Sequence, residues 1–218
     1  MTTKEKILEA ALSLFNELGT DVSSLRVIAK EVGISHGNLA YHFPNTDVII
    51  HQLYLDLVQE LDEQIHSAMD QAIDLASLFE LGWLNFNILQ KYRFLLLDFV
   101  RIMRRIDAIK AHFRTLTELR KQQFHFMIDS LIQRGLLREE RFEGGYQRLI
   151  GRLFILGDHW IPHSEIHFGG EDAERLQRSF VLFISQFEPY FTEEGRLEYL
   201  QEIDRFIVEK GMEPRLFK

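Results

Sequence analysis

Only four prolines interrupt this chain, Pro44, Pro162, Pro189 and Pro214, and the stretches between them carry apolar residues at helical spacing. A proline inside a helix removes a hydrogen bond and clashes with the preceding turn, at a cost of roughly 3 kcal/mol, so long proline-free stretches leave helices free to run. Ile7, Leu8, Ala11, Leu14, Phe15 and Leu18 fall one turn apart, and Gly19 is placed to end that helix. Ile50, Leu53, Tyr54, Leu57, Val58, Leu61 and Ile65 form a second, longer stripe. The pattern predicts an all-α protein.

Apolar residues make up 46% of the 218, enough for a packed core and too many for a disordered chain. The absence of cysteine excludes disulfides and thiolate zinc sites and fits a reducing, cytoplasmic setting. The first residues are charged where a signal peptide would be apolar, and the densest apolar run, Phe94 to Val100, is interrupted by Asp98, so no membrane association is expected. A net charge of −8 argues against a chain-wide affinity for nucleic acid.

The character of the chain changes near Pro44 to Asp47. Before it, three short helices are predicted; after it, long ones. The predicted long helices cover about 47–69, 75–90, 94–105, 108–134, 145–161, 171–191 and 196–210, with Gly135, Pro162 and Gly211 as stops. The division is therefore set at 1–46 and 47–218.

The second and third short helices form a helix-turn-helix candidate. Leu25, Ile28, Ala29 and Val32 give the first its apolar face, and Ala29 is small enough for a close crossing. Gly33 supplies a backbone angle that other residues resist. Ser35 caps a helix too short to be stable alone. That helix buries Leu39 and Phe43 and turns His36, Asn38, Tyr41 and His42 outward, polar and aromatic tips suited to a major groove. Many small helical domains contain such corners without touching DNA, so spacing alone leaves both readings open.

Residues from Glu5 to about Leu53 resemble the N-terminal domain of the tetracycline-repressor (TetR) family. The resemblance is carried by Ile7-Leu8-Glu9-Ala10-Ala11, Leu14-Phe15, Gly19, Leu25-Arg26-Val27-Ile28-Ala29, Val32-Gly33-Ile34-Ser35, Gly37-Asn38-Leu39 and Tyr41-His42-Phe43-Pro44, in order and without a gap. It implies a two-fold dimer, a palindromic double-stranded DNA operator and a C-terminal domain that responds to a small molecule. His36, Asn38 and Tyr41 are then the candidates for base edges, and Lys4, Arg26, His42 and Thr46 for phosphate, with Ser35 counted beside them. Two positions depart from the family pattern: Ala40 follows Leu39, and Asn45-Thr46 stands where the family favours a lysine. Residues 1–46 carry Lys4, Lys6, Arg26 and Lys30 against Glu5, Glu9, Glu17, Asp21 and Glu31, so the module is near neutral and modest affinity is expected.

Beyond residue 46 the chain is apolar and aromatic. Most of these aromatics must be core, and Trp83, Phe86, Phe99, Phe124 and Met127 are the candidates to line a cavity for a largely apolar effector. The helices near 146–161 and 171–191 are apolar over most of their circumference. A two-fold four-helix interface would cover them, with Leu153, Phe154, Trp160, Phe180, Phe183, Ile184 and Phe187 as candidate contacts and Gly151 and Gly157 allowing close approach. Residues 91–121 are basic: Lys91, Arg93, Arg101, Arg104, Arg105, Lys110, Arg114, Arg120 and Lys121 face Asp98, Asp107 and Glu118. This segment could attract DNA, pair with the acidic residues Asp56, Glu60, Asp62 and Glu63, or hold an anionic ligand.

His159, His163 and His167 recur every four residues, which would align three imidazoles on an unbroken helix, but Pro162 and Gly169-Gly170 predict a loop there. Glu63-Gln64-Ile65-His66 matches the spacing of di-iron bundles, which need the motif twice; it occurs once. No nucleophile elbow, phosphate loop or dinucleotide fingerprint is present. The expectation is a regulator without cofactor, metal or catalysis. The alternatives are a helical-bundle metalloenzyme and a ligand-binding dimer whose DNA module has decayed.

Overall fold

The computed structural model describes residues 1–69 and 73–213. Eleven α-helices and one 3-10 segment account for the described elements, in two compact units. No helix among the described residues is long and apolar enough to cross a membrane.

The first unit holds residues 1–62 and 88–114. Helix α1 (Thr3–Leu18) starts at a capping box: the Glu5 amide donates to Thr2 Oγ1, and the Thr2 amide donates to Glu5 Oε2. It buries Ile7, Ala11 and Phe15, four residues apart, whereas Leu18 at the end of the stripe is half exposed. Helices α2 (Leu25–Val32) and α3 (His36–His42) follow, and then α4 (Thr46–Met69), whose Ile49, Ile50, Leu53, Tyr54, Leu57 and Val58 are buried. The Asn45 side chain caps α4 by accepting from the Val48 amide at 3.1 Å.

The expected single helix over 94–105 is two: α6 (Arg93–Leu97) and α7 (Phe99–Arg105), separated at Asp98. The physical reason is a partner distant in sequence. Asp98 Oδ2 accepts from Thr20 Oγ1 at 2.7 Å, and Arg101 donates to both of them. Asn16 fastens the same region, donating to the Lys91 carbonyl at 2.8 Å and accepting from the Phe94 amide at 3.1 Å.

The second unit holds residues 63–87 and 115 onward. Its core is aromatic. Phe86 stacks on Trp160 with ring centroids 5.0 Å apart, and Phe180 meets Trp83 edge-on at 5.3 Å and stacks on Phe206 at 5.5 Å. Helix α8 (Asp107–Gln133) ends before Gly135, which has φ 76°. Leu136 and Leu137 then lie against the start of α11 (Glu193–Lys210): the Thr192 amide donates to the Leu136 carbonyl at 3.1 Å. Gly195 is buried there, with no room for a side chain: a Cβ would stand 1.9 Å from that same carbonyl oxygen.

Two expectations about element ends are corrected. Helix α9 (Gly145–His167) continues through Pro162 instead of stopping before it. Trp160, Ile161 and Ser164 are buried around the proline, and that burial offsets the missing hydrogen bond. Helix α10 (Asp172–Ile184) stops earlier than expected and passes into a 3-10 turn, Ser185–Tyr190, that contains Pro189. Helices α4, α5 (Leu75–Lys91) and α8 each contribute residues to both units.

Candidate nucleic-acid interface

The turn between α2 and α3 is fixed from both sides. Gly33 adopts the left-handed conformation (φ 74°, ψ 31°) and ends α2, its amide donating back to that helix. Ile28, Ala29 and Leu39 are buried within 3% of full exclusion from solvent and lock the two helices together. Phe43 is buried in extended backbone just before Pro44, the conformation a residue preceding proline prefers.

With Leu39 and Phe43 anchored inward, the opposite face of α3 faces water. His36, Asn38 and Tyr41 are exposed, Tyr41 to 86%, and its ring meets His42 edge-on at 5.4 Å. His42 is half-buried. Ser35 has a structural task, since its Oγ accepts from the Asn38 amide at 3.1 Å and caps α3. Arg26 is exposed on α2. Lys4 leans on α4, its Nζ 3.5 Å from Gln52 Oε1 and 5.8 Å from the centre of the Phe43 ring. Thr46 is half-buried in the first turn of α4.

The expected acidic partner of the basic segment is found in part. Lys91 Nζ lies 2.6 Å from Glu60 Oε1, and the Tyr92 hydroxyl donates to the same oxygen at 2.6 Å. Burial, then that contact, push the Tyr92 hydroxyl above the usual tyrosine range. Arg101 pairs with Asp98 and Asp21, and Arg105 with Asp47.

The family profile described as "Bacterial regulatory proteins, tetR family" matches residues 7–53, and the TetR profile described as "Bacterial transcriptional repressor" matches residues 57–199. The chain belongs to the TetR family. The probable HTH-type transcriptional regulator YttP of Bacillus subtilis (strain 168) is 25% identical to this TetR-family chain over 193 residues, 88% of this chain and 87% of that one. A TetR-family transcriptional regulator from Marinobacter aquaeolei VT8 shares its fold with a TM-score of 0.85 at 22% identity, over 94% of this chain and 99% of that one. SmeT of Stenotrophomonas maltophilia, solved as a triclosan complex, shares it at TM-score 0.60 and 19% identity, over 88% and 93%.

The cavity candidates of this TetR-family chain are divided between the two units. Phe99 lies in the first unit, against Phe113 at 5.1 Å. Trp83 and Phe86 belong to the aromatic core of the second, while Phe124 packs edge-on against Phe154 at 5.8 Å and Met127 is buried. A depression of about 460 Å³ opens elsewhere in the second unit, lined by His125, Ile128, Asp129, Ile132, Glu139, Glu140 and Tyr146. Sequence reasoning passed over it, although the four α8 residues share one helical face.

The dimer candidates are corrected for five of seven. Leu153, Trp160, Phe180, Ile184 and Phe187 are buried inside the protomer, leaving Phe154 and Phe183 partly exposed. Exposed apolar side chains on α9 and α10 are instead Ile155 (69% exposed), Ile166 (78%) and Leu182 (46%). His159, His163 and His167 do share the unbroken α9, contrary to the predicted loop, and the His163 and His167 rings lie 4.5 Å apart. Among the described residues no group of three or more His, Asp or Glu is disposed to hold a metal ion.

Proposed function

We propose that this TetR-family protein is a repressor that binds a palindromic operator as a homodimer and leaves it when a small molecule binds among the helices of its second unit. The observation that carries the reading is the face of α3. His36, Asn38 and an almost fully solvated Tyr41 stand on a seven-residue helix held rigid by Leu39, Phe43 and the Ser35 cap. A large aromatic 86% exposed contributes nothing to the core, whereas a ring can meet a thymine methyl or a sugar in a groove.

A two-fold dimer would double the phosphate contacts of the near-neutral module, which supports this part of the reading. Ile155 and Leu182 supply exposed apolar area, and Gly151 and Gly157 have no atom within 4 Å of where a Cβ would stand, so a second helix can approach closely. Two recognition helices then sit about one DNA turn apart, roughly 34 Å. A ligand shifts that spacing only by its differential affinity for two arrangements of the helices. Helix α4 runs from the recognition module into the second unit and is the natural carrier of the change. Small-molecule complexes of relatives, such as SmeT with triclosan, support this part of the reading.

The test is a fluorescence-anisotropy titration with DNA from just upstream of the protein's own gene, scrambled competitor and two salt concentrations. Salt-sensitive binding that prefers the upstream DNA is the expected outcome. Tyr41→Ala should weaken it by about tenfold, worth ~1.4 kcal/mol, and leave the mass measured by light scattering unchanged. Unchanged affinity of Tyr41→Ala would refute the assigned contact face.

A further inference from the structure

Phosphate neutralisation supplies much of the affinity of DNA-binding proteins. Residues 1–46 bring four Lys and Arg against five Asp and Glu, so the helix-turn-helix offers the backbone no net positive charge. Residues 88–114, in the same compact unit, bring seven Lys and Arg against two Asp. The fold decides where those cations stand.

Lys91 and Arg101 are drawn to Glu60 and to the Asp98–Asp21 pair, and Lys110 to Asp107 at 2.8 Å. Arg105 is different. It is the last residue of α7, and its guanidinium pairs with Asp47, the second residue of α4. Asp47 lies five residues beyond His42, where the recognition helix ends. The cation is thereby carried to the segment joining the recognition helix to α4. Lys4 leans on the same first turns of α4, at Gln52.

The pairing leaves Arg105 capacity to spare. Asp47 meets the guanidinium through a single oxygen, Oδ1, against one terminal nitrogen, Nη2. The Arg105 side chain remains 37% exposed. A guanidinium has five donors in a plane and binds phosphate with two of them, so most of its donors remain for a second anion. Arg104 beside it is exposed.

We propose that Arg105 is a phosphate-contacting residue of the DNA interface, supplied by α7 and not by the helix-turn-helix, and that Asp47 holds it beside the recognition helix while competing with DNA for it. The assignment rests on the DNA-binding reading above.

The test compares wild type, Asp47→Asn and Asp47→Asn/Arg105→Gln on two duplexes: the one that wild-type protein selects from a random library, and a mixed-sequence duplex. Arg105→Gln alone is not used, because it leaves the Asp47 carboxylate unpaired; the double variant removes both charges. Asp47→Asn should bind both duplexes at least as tightly as wild type. The double variant should bind both about tenfold more weakly than Asp47→Asn at 50 mM salt, with a slope of log K against log salt shallower by about 0.9 per bound protomer. Equal affinities and slopes for the two variants would mean that Arg105 serves only to cover Asp47. That result overturns the assignment and leaves the regulator reading standing. A wild-type protein that selects no duplex and binds mixed DNA without salt dependence overturns the regulator reading and the assignment with it.

Discussion

Asn16 joins three segments of the first unit through one amide, and its removal has a calculable consequence. Its Nδ2 donates to the Lys91 carbonyl at 2.8 Å, in the last turn of α5, and its Oδ1 accepts from the Phe94 amide at 3.1 Å, in the first turn of α6. Both are backbone groups that a helix end leaves without an internal partner. Asn16→Ala strands both. Each lost bond costs about 1 kcal/mol net, so the local loss is about 2 kcal/mol, a factor of roughly 30 in the opening equilibrium. The adjoining Phe15–Phe94 ring contact at 5.1 Å should persist, which keeps the effect local. Hydrogen exchange of the peptide covering 92–98 should therefore accelerate about thirtyfold, while that of the α9 core around Leu153 and Trp160 stays unchanged. Exchange at 92–98 that is unaltered in the variant would show that Asn16 holds neither group in solution, and the account of the α5–α6 junction would be wrong.

Two further outcomes follow from the second unit. Gly195→Ala places a methyl 1.9 Å from the Leu136 carbonyl oxygen, a backbone atom that cannot swing aside, and should lower stability by at least about 3 kcal/mol in urea titration; a loss under ~1 kcal/mol would mean that the α8–α11 junction relaxes freely. Asp158 on α9 has its carboxyl pushed up to about 6 by burial, with the charge of His159 pulling the other way. The folded state thus binds this proton more tightly than the unfolded chain does, so ionisation destabilises the fold in full above pH ~6 and not at all below pH ~4. Asp158→Asn should add up to about 2 kcal/mol at pH 7.5 and nothing near pH 4. A gain independent of pH would assign the effect to packing.

The stripes on α1 and α4 were legible because helical period and burial coincide there: Ile7, Ala11, Phe15, Ile50, Leu53 and Leu57 are buried as their spacing requires. The exposed face of α3 was legible by elimination, since Leu39 and Phe43 had to point inward and a short helix has few positions left. The interruption at Asp98 was not, because its cause is Thr20, 78 residues away. The run of α9 through Pro162 was not either: local chemistry argues for a stop, and the burial of Trp160, Ile161 and Ser164 outweighs it. On α9 and α10, apolar residues surround both helices, so periodicity could not tell core from free surface. The structure gives Leu153 and Phe180 to the core and leaves Ile155 and Leu182 to solvent.

The sequence by itself determined the helical class, the helix-turn-helix and the family, because periodicity, caps and turn glycines act over a few residues and are written in order along the chain. Only the tertiary structure decided which cation meets which carboxylate, which apolar face stays uncovered and where Arg105 points. Those depend on distances between residues far apart in the chain, such as Asp47 and Arg105, and no local pattern encodes them.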